Sequence, residues 1–111
     1  AKNLAAGQQK KLVTISSIMG SITQSNRGSD YIYRSSKAAV NMVMRNFSAD
    51  PLGRDLIVAN LHPGWVKTDM GGSDAAITPS ESVTSLRKCI ADLTRADTGK
   101  YFNFDGTPID W

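Results

Sequence analysis

Leu56-Ile57-Val58-Ala59-Asn60-Leu61 most restricts the fold, because its apolar residues are consecutive, not alternate. A strand with one face in water alternates apolar and polar residues, whereas one covered on both faces reads as a nearly unbroken apolar run. Such strands belong to parallel sheets sandwiched between helices. Leu12-Val13-Thr14-Ile15-Ser16-Ser17 is a second β-branched run, ending in two hydroxyls.

The segments around these runs read as helices and turns. A short helix is expected at roughly 2–8 and a strand at about 11–16, followed by a Gly-, Ser-, Asn- and Asp-containing loop to residue 29. A long helix follows from near Asp30 to about Ala49, with Val40, Val43 and Phe47 marking its buried face; Pro51 and Gly53 stop it. The second strand falls at about 55–61. Thr78-Pro79-Ser80-Glu81 is a capping box with proline at the first helical position, opening a helix that buries Val83, Leu86, Ile90 and Leu93. Gly99 ends the connection, and Tyr101 to Phe104 form a last short strand. This order predicts an α/β fold of three neighbouring parallel strands joined through helices by right-handed crossovers.

Composition narrows the function classes. The 111 residues suffice for one modest domain, and no apolar run approaches the ~20 residues of a membrane span. No charged-then-apolar start reads as a signal peptide. Cys89 is the single cysteine, so an internal disulfide is impossible and a reducing cytoplasm is expected. The net charge of +3 is spread among ten acidic residues, and the only adjacent basic pairs are Lys10-Lys11 and Arg87-Lys88. That is a mixed solvated surface, without the basic stripe and recognisable module of a nucleic-acid reader. His62, the only histidine, has no Cys, Asp or Glu at ligand spacing, so no metal site is expected.

The chemistry concentrates in Tyr33-Arg34-Ser35-Ser36-Lys37. Positions i and i+4 of a helix share a face, so the phenol and the ammonium can converge on one atom. An isolated phenol titrates near 10 and exchanges protons poorly at neutral pH; a nearby cation favours the phenolate, making a usable general acid and base. Tyr31 lacks a lysine four residues on, which singles out Tyr33. On either side lie Ser16-Ser17-Ile18-Met19-Gly20-Ser21-Ile22 and His62-Pro63-Gly64-Trp65-Val66-Lys67-Thr68-Asp69-Met70-Gly71-Gly72.

With these motifs in this order, the chain resembles the short-chain dehydrogenase/reductases, and in particular their C-factor-like carbonyl reductase branch. Phe102-Asn103-Phe104-Asp105-Gly106-Thr107-Pro108 is similar to that branch's C-terminal stretch. The resemblance implies the C-terminal part of a Rossmann-like doubly wound parallel sheet, its three strands being the family's fifth to seventh. It implies Ser17, Tyr33 and Lys37 as catalytic residues. Ser17 would hold the substrate oxygen, with Ser21 as the alternative hydroxyl; Tyr33 would protonate it. Lys37 would support Tyr33 and hydrogen-bond the nicotinamide ribose. Cofactor contacts are implied for Tyr33, Lys37, Pro63, Gly64, Val66 and Thr68, with NADP favoured by the branch and NAD left open. Ser17 precedes Tyr33 by sixteen residues, a longer spacing than in many members and in keeping with that branch. A serine-nucleophile hydrolase is disfavoured, because Ser17 lacks the Gly-x-Ser-x-Gly elbow.

Other family features have no match. None of the nine glycines forms the Gly-rich turn that holds the dinucleotide pyrophosphate. The family's active-site asparagine cannot be placed; Asn3 lies in the right region without a motif. Residues 1–111 therefore read as the C-terminal half of one Rossmann-like reductase domain, without the dinucleotide-binding half and inactive alone. The first strand then lacks a neighbour, a liability for aggregation. The expected partner is a small carbonyl or alcohol substrate, with a homo-oligomer formed through the Tyr33-Lys37 helix, where Met42 and Met44 serve core or interface. Trp65 and Met70 fall in a segment that is usually a mobile lid in this family. Cys89 reads as inert packing and His62 as structural. The alternative function is a non-catalytic signalling or interaction protein on the same scaffold.

Overall fold

A computed structural model describes residues 2–111. The chain runs α1 (Lys2–Ala6), β1 (Lys11–Ile15), a 3-10 turn (Ile18–Gly20), α2 (Tyr31–Ala49), β2 (Ile57–His62), α3 (Pro79–Asp92), a second 3-10 turn (Arg95–Asp97) and β3 (Lys100–Asn103). The strands form one sheet in the order β1-β2-β3, both pairs parallel, with Thr14 beside Asn60 and Asn60 beside Tyr101. This is the expected Rossmann-like α/β arrangement. Boundaries differ for local reasons. Leu56 is fully buried, but its amide bonds to Gly53 O in the preceding turn and not to the ladder, so β2 starts at Ile57. Gly7 N closes on Leu4 O and ends α1 early.

Adjacent residues of a strand face opposite sides, and the two sides of this sheet differ chemically. On one, Ala59, Leu61 and Phe102 pack with Leu86 and Leu93, and Val13, Cys89 and Ile90 close around them. On the other, Asn60 meets Asn41 of α2. The helices α2 and α3 thus cover opposite faces. With sequential parallel strands, opposite faces require crossovers of opposite hand, so the expectation of two right-handed connections is corrected: one is the rare left-handed kind. The reason lies in the side chains. The apolar stripe of α3 matches Ala59, Leu61 and Phe102, leaving the polar face for α2.

Two expected core residues are also corrected. Val43 is 65% exposed, because the buried stripe of α2 runs through Asn41 and a residue two positions on points away. Val83 is 53% exposed, because α3 turns its neighbour Ser82 inward, where the hydroxyl donates to Pro63 O at 2.6 Å. Cys89 packs beside the core as expected, and burial pushes its thiol up.

The predicted capping box opens α3: Glu81 N donates to Thr78 Oγ1, and Thr78 N donates to Glu81 Oε2 at 2.7 Å. At the other end, Lys11 Nζ donates to the carbonyls of Ile90 and Ala91 at 2.7 and 2.8 Å, where a helix C-terminus favours a cation. β1 lies at the sheet edge and pairs only with β2 among the described residues. No described helix is long and apolar enough to cross a membrane.

Candidate active site

Every residue with a catalytic or cofactor expectation lies at or beyond the carboxyl ends of β1 and β2, or on α2. Ser16 N still bonds Leu61 O at 2.8 Å, so the two strand ends emerge side by side. Ligands of open parallel α/β sheets bind at such ends. Ser17 turns out of β1 as the cap of the first 3-10 turn, its nearly buried Oγ accepting from Met19 N at 3.2 Å. That turn brings Gly20 onto α2. A Cβ at Gly20 would lie 2.7 Å from the Lys37 carbonyl carbon and 2.8 Å from Lys37 Cβ, so the close approach requires glycine.

Tyr33 and Lys37 sit one turn apart on α2, as the spacing predicts. The Lys37 ammonium lies 5.6 Å from the centre of the Tyr33 ring, within cation–π range. The phenol is 37% exposed, whereas Lys37 is half-buried. A cation held against a solvent-accessible phenol is an arrangement suited to proton exchange with a bound oxygen.

Pro63 and Gly64 follow β2 directly. Gly64 has φ of +84°, a conformation that selects glycine, and it packs against the side chains of Ile77 and Phe104. The following segment folds back on itself: Val66 bridges Ile77, Lys67 N donates to Ile77 O, and Ile77 N donates to Trp65 O. Trp65 Nε1 donates to Gly71 O at 2.8 Å, leaving its ring exposed, as is Met70. Thr68 is exposed, and its hydroxyl accepts from Gly71 N at 3.1 Å within the same loop. Thr68 thus holds its own turn through one oxygen lone pair, which leaves a second lone pair and the rotatable O–H of this exposed hydroxyl. His62 is half-buried, and burial holds its imidazole below the usual range, in keeping with a structural role. Among the described residues, no His, Cys, Asp and Glu group can hold a metal.

The structure adds a polar layer that sequence reasoning missed. Asn41 Oδ1 accepts from Ser16 Oγ at 2.6 Å and from Asn60 Nδ2 at 3.0 Å, all three residues being buried. Tyr101 lies beside them, and burial pushes its phenol up to about 12. Trp111 stacks on its ring at 5.3 Å between centres. The available signal was Asn41 one turn beyond Lys37 on the same stripe, together with Asn60 inside an apolar strand.

Comparison with known proteins bears on the family and the fold. The family described as short chain dehydrogenase matches residues 1–77. The chain is 38% identical to C-signal of Myxococcus xanthus over 108 residues, covering 97% of this chain and 65% of that protein. It is equally 38% identical to a 1-hydroxy-2-glutathionyl-2-methyl-3-butene dehydrogenase of Rhodococcus sp. (strain AD45), covering 91% of this chain and 46% of that protein. Among solved structures it is similar to the carbonyl reductase Sniffer of D. melanogaster, with a TM-score of 0.86 and 40% identity over 91% of this chain and 41% of that one. An NADPH-bound carbonyl reductase from chicken fatty liver gives a TM-score of 0.82 and 37% identity over 91% of this chain and 42% of that one. The chain thus spans less than two thirds of the length of each of these proteins. With the family match extending over residues 1–77 of 111, the chain belongs to the short-chain dehydrogenase family, within its carbonyl reductase and C-signal relatives.

Proposed function

We propose that residues 1–111 form the catalytic half of an NADP(H)-dependent carbonyl reductase, the C-terminal half of one Rossmann-like domain. The observation that carries this reading is the Tyr33–Lys37 pair, with its ammonium 5.6 Å from the phenol ring, docked through Gly20 onto the segment that follows Ser17. In this role the Ser17 Oγ–H donates to the substrate oxygen, while an oxygen lone pair keeps the local bond from Met19 N. Tyr33 gives its proton to that oxygen as an alcohol forms, and takes it back in the reverse direction. Lys37 keeps a positive charge beside the phenol, favouring the phenolate left behind.

The residues present fit the nicotinamide end of a dinucleotide. Lys37 has three donors for a ribose, and Pro63, Gly64, Val66 and Thr68 lie beyond the end of the neighbouring strand. Tyr33 shares this contact. When bound, the dinucleotide supplies the hydride. None of the nine glycines makes a pyrophosphate cradle, so the chain alone binds NADPH weakly and is inactive. NADP is preferred to NAD by likeness to the NADPH-bound relative. A reducing cytoplasm suits the single, half-buried Cys89. The outer face of α2, with Ile32 at 87% exposure and Met42 and Val43 also exposed, is the proposed contact between copies.

The test titrates NADPH into the chain and into the same chain extended by a preceding dinucleotide-binding half, following cofactor fluorescence and turnover of a carbonyl substrate. Binding and turnover by the extended chain alone is the expected result; turnover by the short chain overturns its predicted inactivity. In the extended chain Tyr33→Phe lowers kcat by about 10² to 10⁴ with the fold intact. A second reading, a signalling protein on a reductase scaffold, rests on the likeness to C-signal. If it is correct, Tyr33→Phe leaves the biological effect unchanged.

A further inference from the structure

Asn41 is the only buried residue along the 19 residues of α2. An amide in that position is unexpected on packing grounds, because an aliphatic side chain there would bury apolar surface without needing hydrogen-bond partners. The bonds it makes are specific. One acceptor atom, Oδ1, takes Ser16 Oγ from the end of β1 and Asn60 Nδ2 from within β2. Ser16 immediately precedes Ser17, and Asn60 lies three residues before Pro63. Tyr33, Lys37 and Asn41 step by four along one stripe of the helix. A single atom of α2 is therefore pinned to both strands whose ends carry the remaining candidate site residues.

We infer that Asn41 is a positioning residue, fixing the rotation and axial register of α2 so that Tyr33 and Lys37 arrive opposite Ser17 and the Pro63-Gly64 turn. This rests on the catalytic reading of Tyr33 and Lys37 given above. The physical basis is the directionality of hydrogen bonds. Apolar side chains allow a helix to slide or rotate by a fraction of a turn at small cost, whereas a buried amide with two donors satisfies them in one register only. Asn41 Nδ2 and Asn60 Oδ1 find no protein partner among the described residues, so Oδ1 of Asn41 carries the contact to both strands. Gly20 supplies the complementary steric stop, since its close approach to Lys37 leaves no room for the helix to move inward.

The experiment compares Asn41→Leu with Asn41→Asp, which retains an acceptor for both donors. In the 111-residue chain, NMR follows the Gly20 Hα to Lys37 Hβ contact and the number of amide signal sets along α2. In the extended chain, kcat and KM are measured separately. Asn41→Leu is expected to split or broaden the α2 signals, weaken the Gly20–Lys37 contact and lower kcat by about 10- to 100-fold at nearly unchanged KM. Asn41→Asp restores one signal set and most of kcat. Ser16→Ala, which leaves Asn41 seated through Asn60 alone, gives the same changes at smaller amplitude and replaces Asn41→Leu if that variant does not fold. An unchanged contact and unchanged kcat in these variants overturn the proposal. The contact readout does not depend on turnover, so it stands even if Tyr33→Phe shows that the reductase reading is wrong.

Discussion

Gly20 and His62 show how single residues set the geometry and its pH range. A methyl at Gly20 must displace the Lys37 backbone, because 2.7 Å to a carbonyl carbon is shorter than any real Cβ contact. Gly20→Ala is therefore expected to cost about 1–3 kcal/mol, read from urea denaturation, and to shift the Tyr33 and Lys37 resonances. Burial sets the titration of the His62 imidazole in the folded chain below the unfolded value of about 6.5. Its contribution to stability is complete above that value and is lost as pH falls through the folded one. A thermal melt series from pH 8 to 5 should show this loss, and His62→Asn should remove the step. That Tyr33 and Lys37 share a turn of α2 and that Ser17 follows the end of β1 were legible in the sequence, from the i, i+4 spacing and the apolar run before Ser17. Asn41 was not. A polar residue inside a helix ordinarily faces water, and the partners that reverse this reading lie 25 and 19 residues away.

Among the elements, α3 is the most completely specified by local sequence. Its capping box, proline start and acidic first turn all follow from Thr78-Pro79-Ser80-Glu81. Thr78→Ala removes the acceptor for Glu81 N and is expected to lower stability by about 1 kcal/mol in chemical denaturation. The bonds donated by Thr78 hold the Glu81 carboxylate below its ordinary range. Stability from this cap is full above the unfolded value of about 4.3 and declines as pH falls through the lower folded one. The difference between Thr78→Ala and the parent should therefore shrink in acid. The strands were equally legible as to position, since their apolar runs are short and bounded by turns. The hand of the crossovers was not, because it depends on which face of the sheet matches each helix stripe. The stripe of α2 was itself misjudged through Val43, where an apolar residue at helical spacing lies on the outer side.

At the scale of the whole molecule, two unpartnered surfaces compete to explain any self-association. The free edge of β1 presents backbone groups beside Ile15, which is 48% exposed at the strand's end. The outer side of α2 presents Ile32, Met42 and Val43 instead. Their physics differs. Edge pairing is driven by main-chain hydrogen bonds and resisted by a charge on the edge strand. Helix-face pairing is driven by apolar burial and resisted by a charge on that face. Analytical ultracentrifugation of Ile15→Lys and Val43→Glu separates them. If copies meet through α2, Val43→Glu shifts the chain toward monomer while Ile15→Lys leaves its dimer population unchanged. If the β1 edge dominates, the reverse holds and association progresses beyond dimers, since a parallel edge contact between identical chains need not close. The same charge should lose its effect in a chain extended by a strand that covers β1, whereas Val43→Glu should act in both. With those outcomes, β1 takes a strand of the extended chain as its neighbour and α2 takes another copy; the opposite outcomes reverse the two.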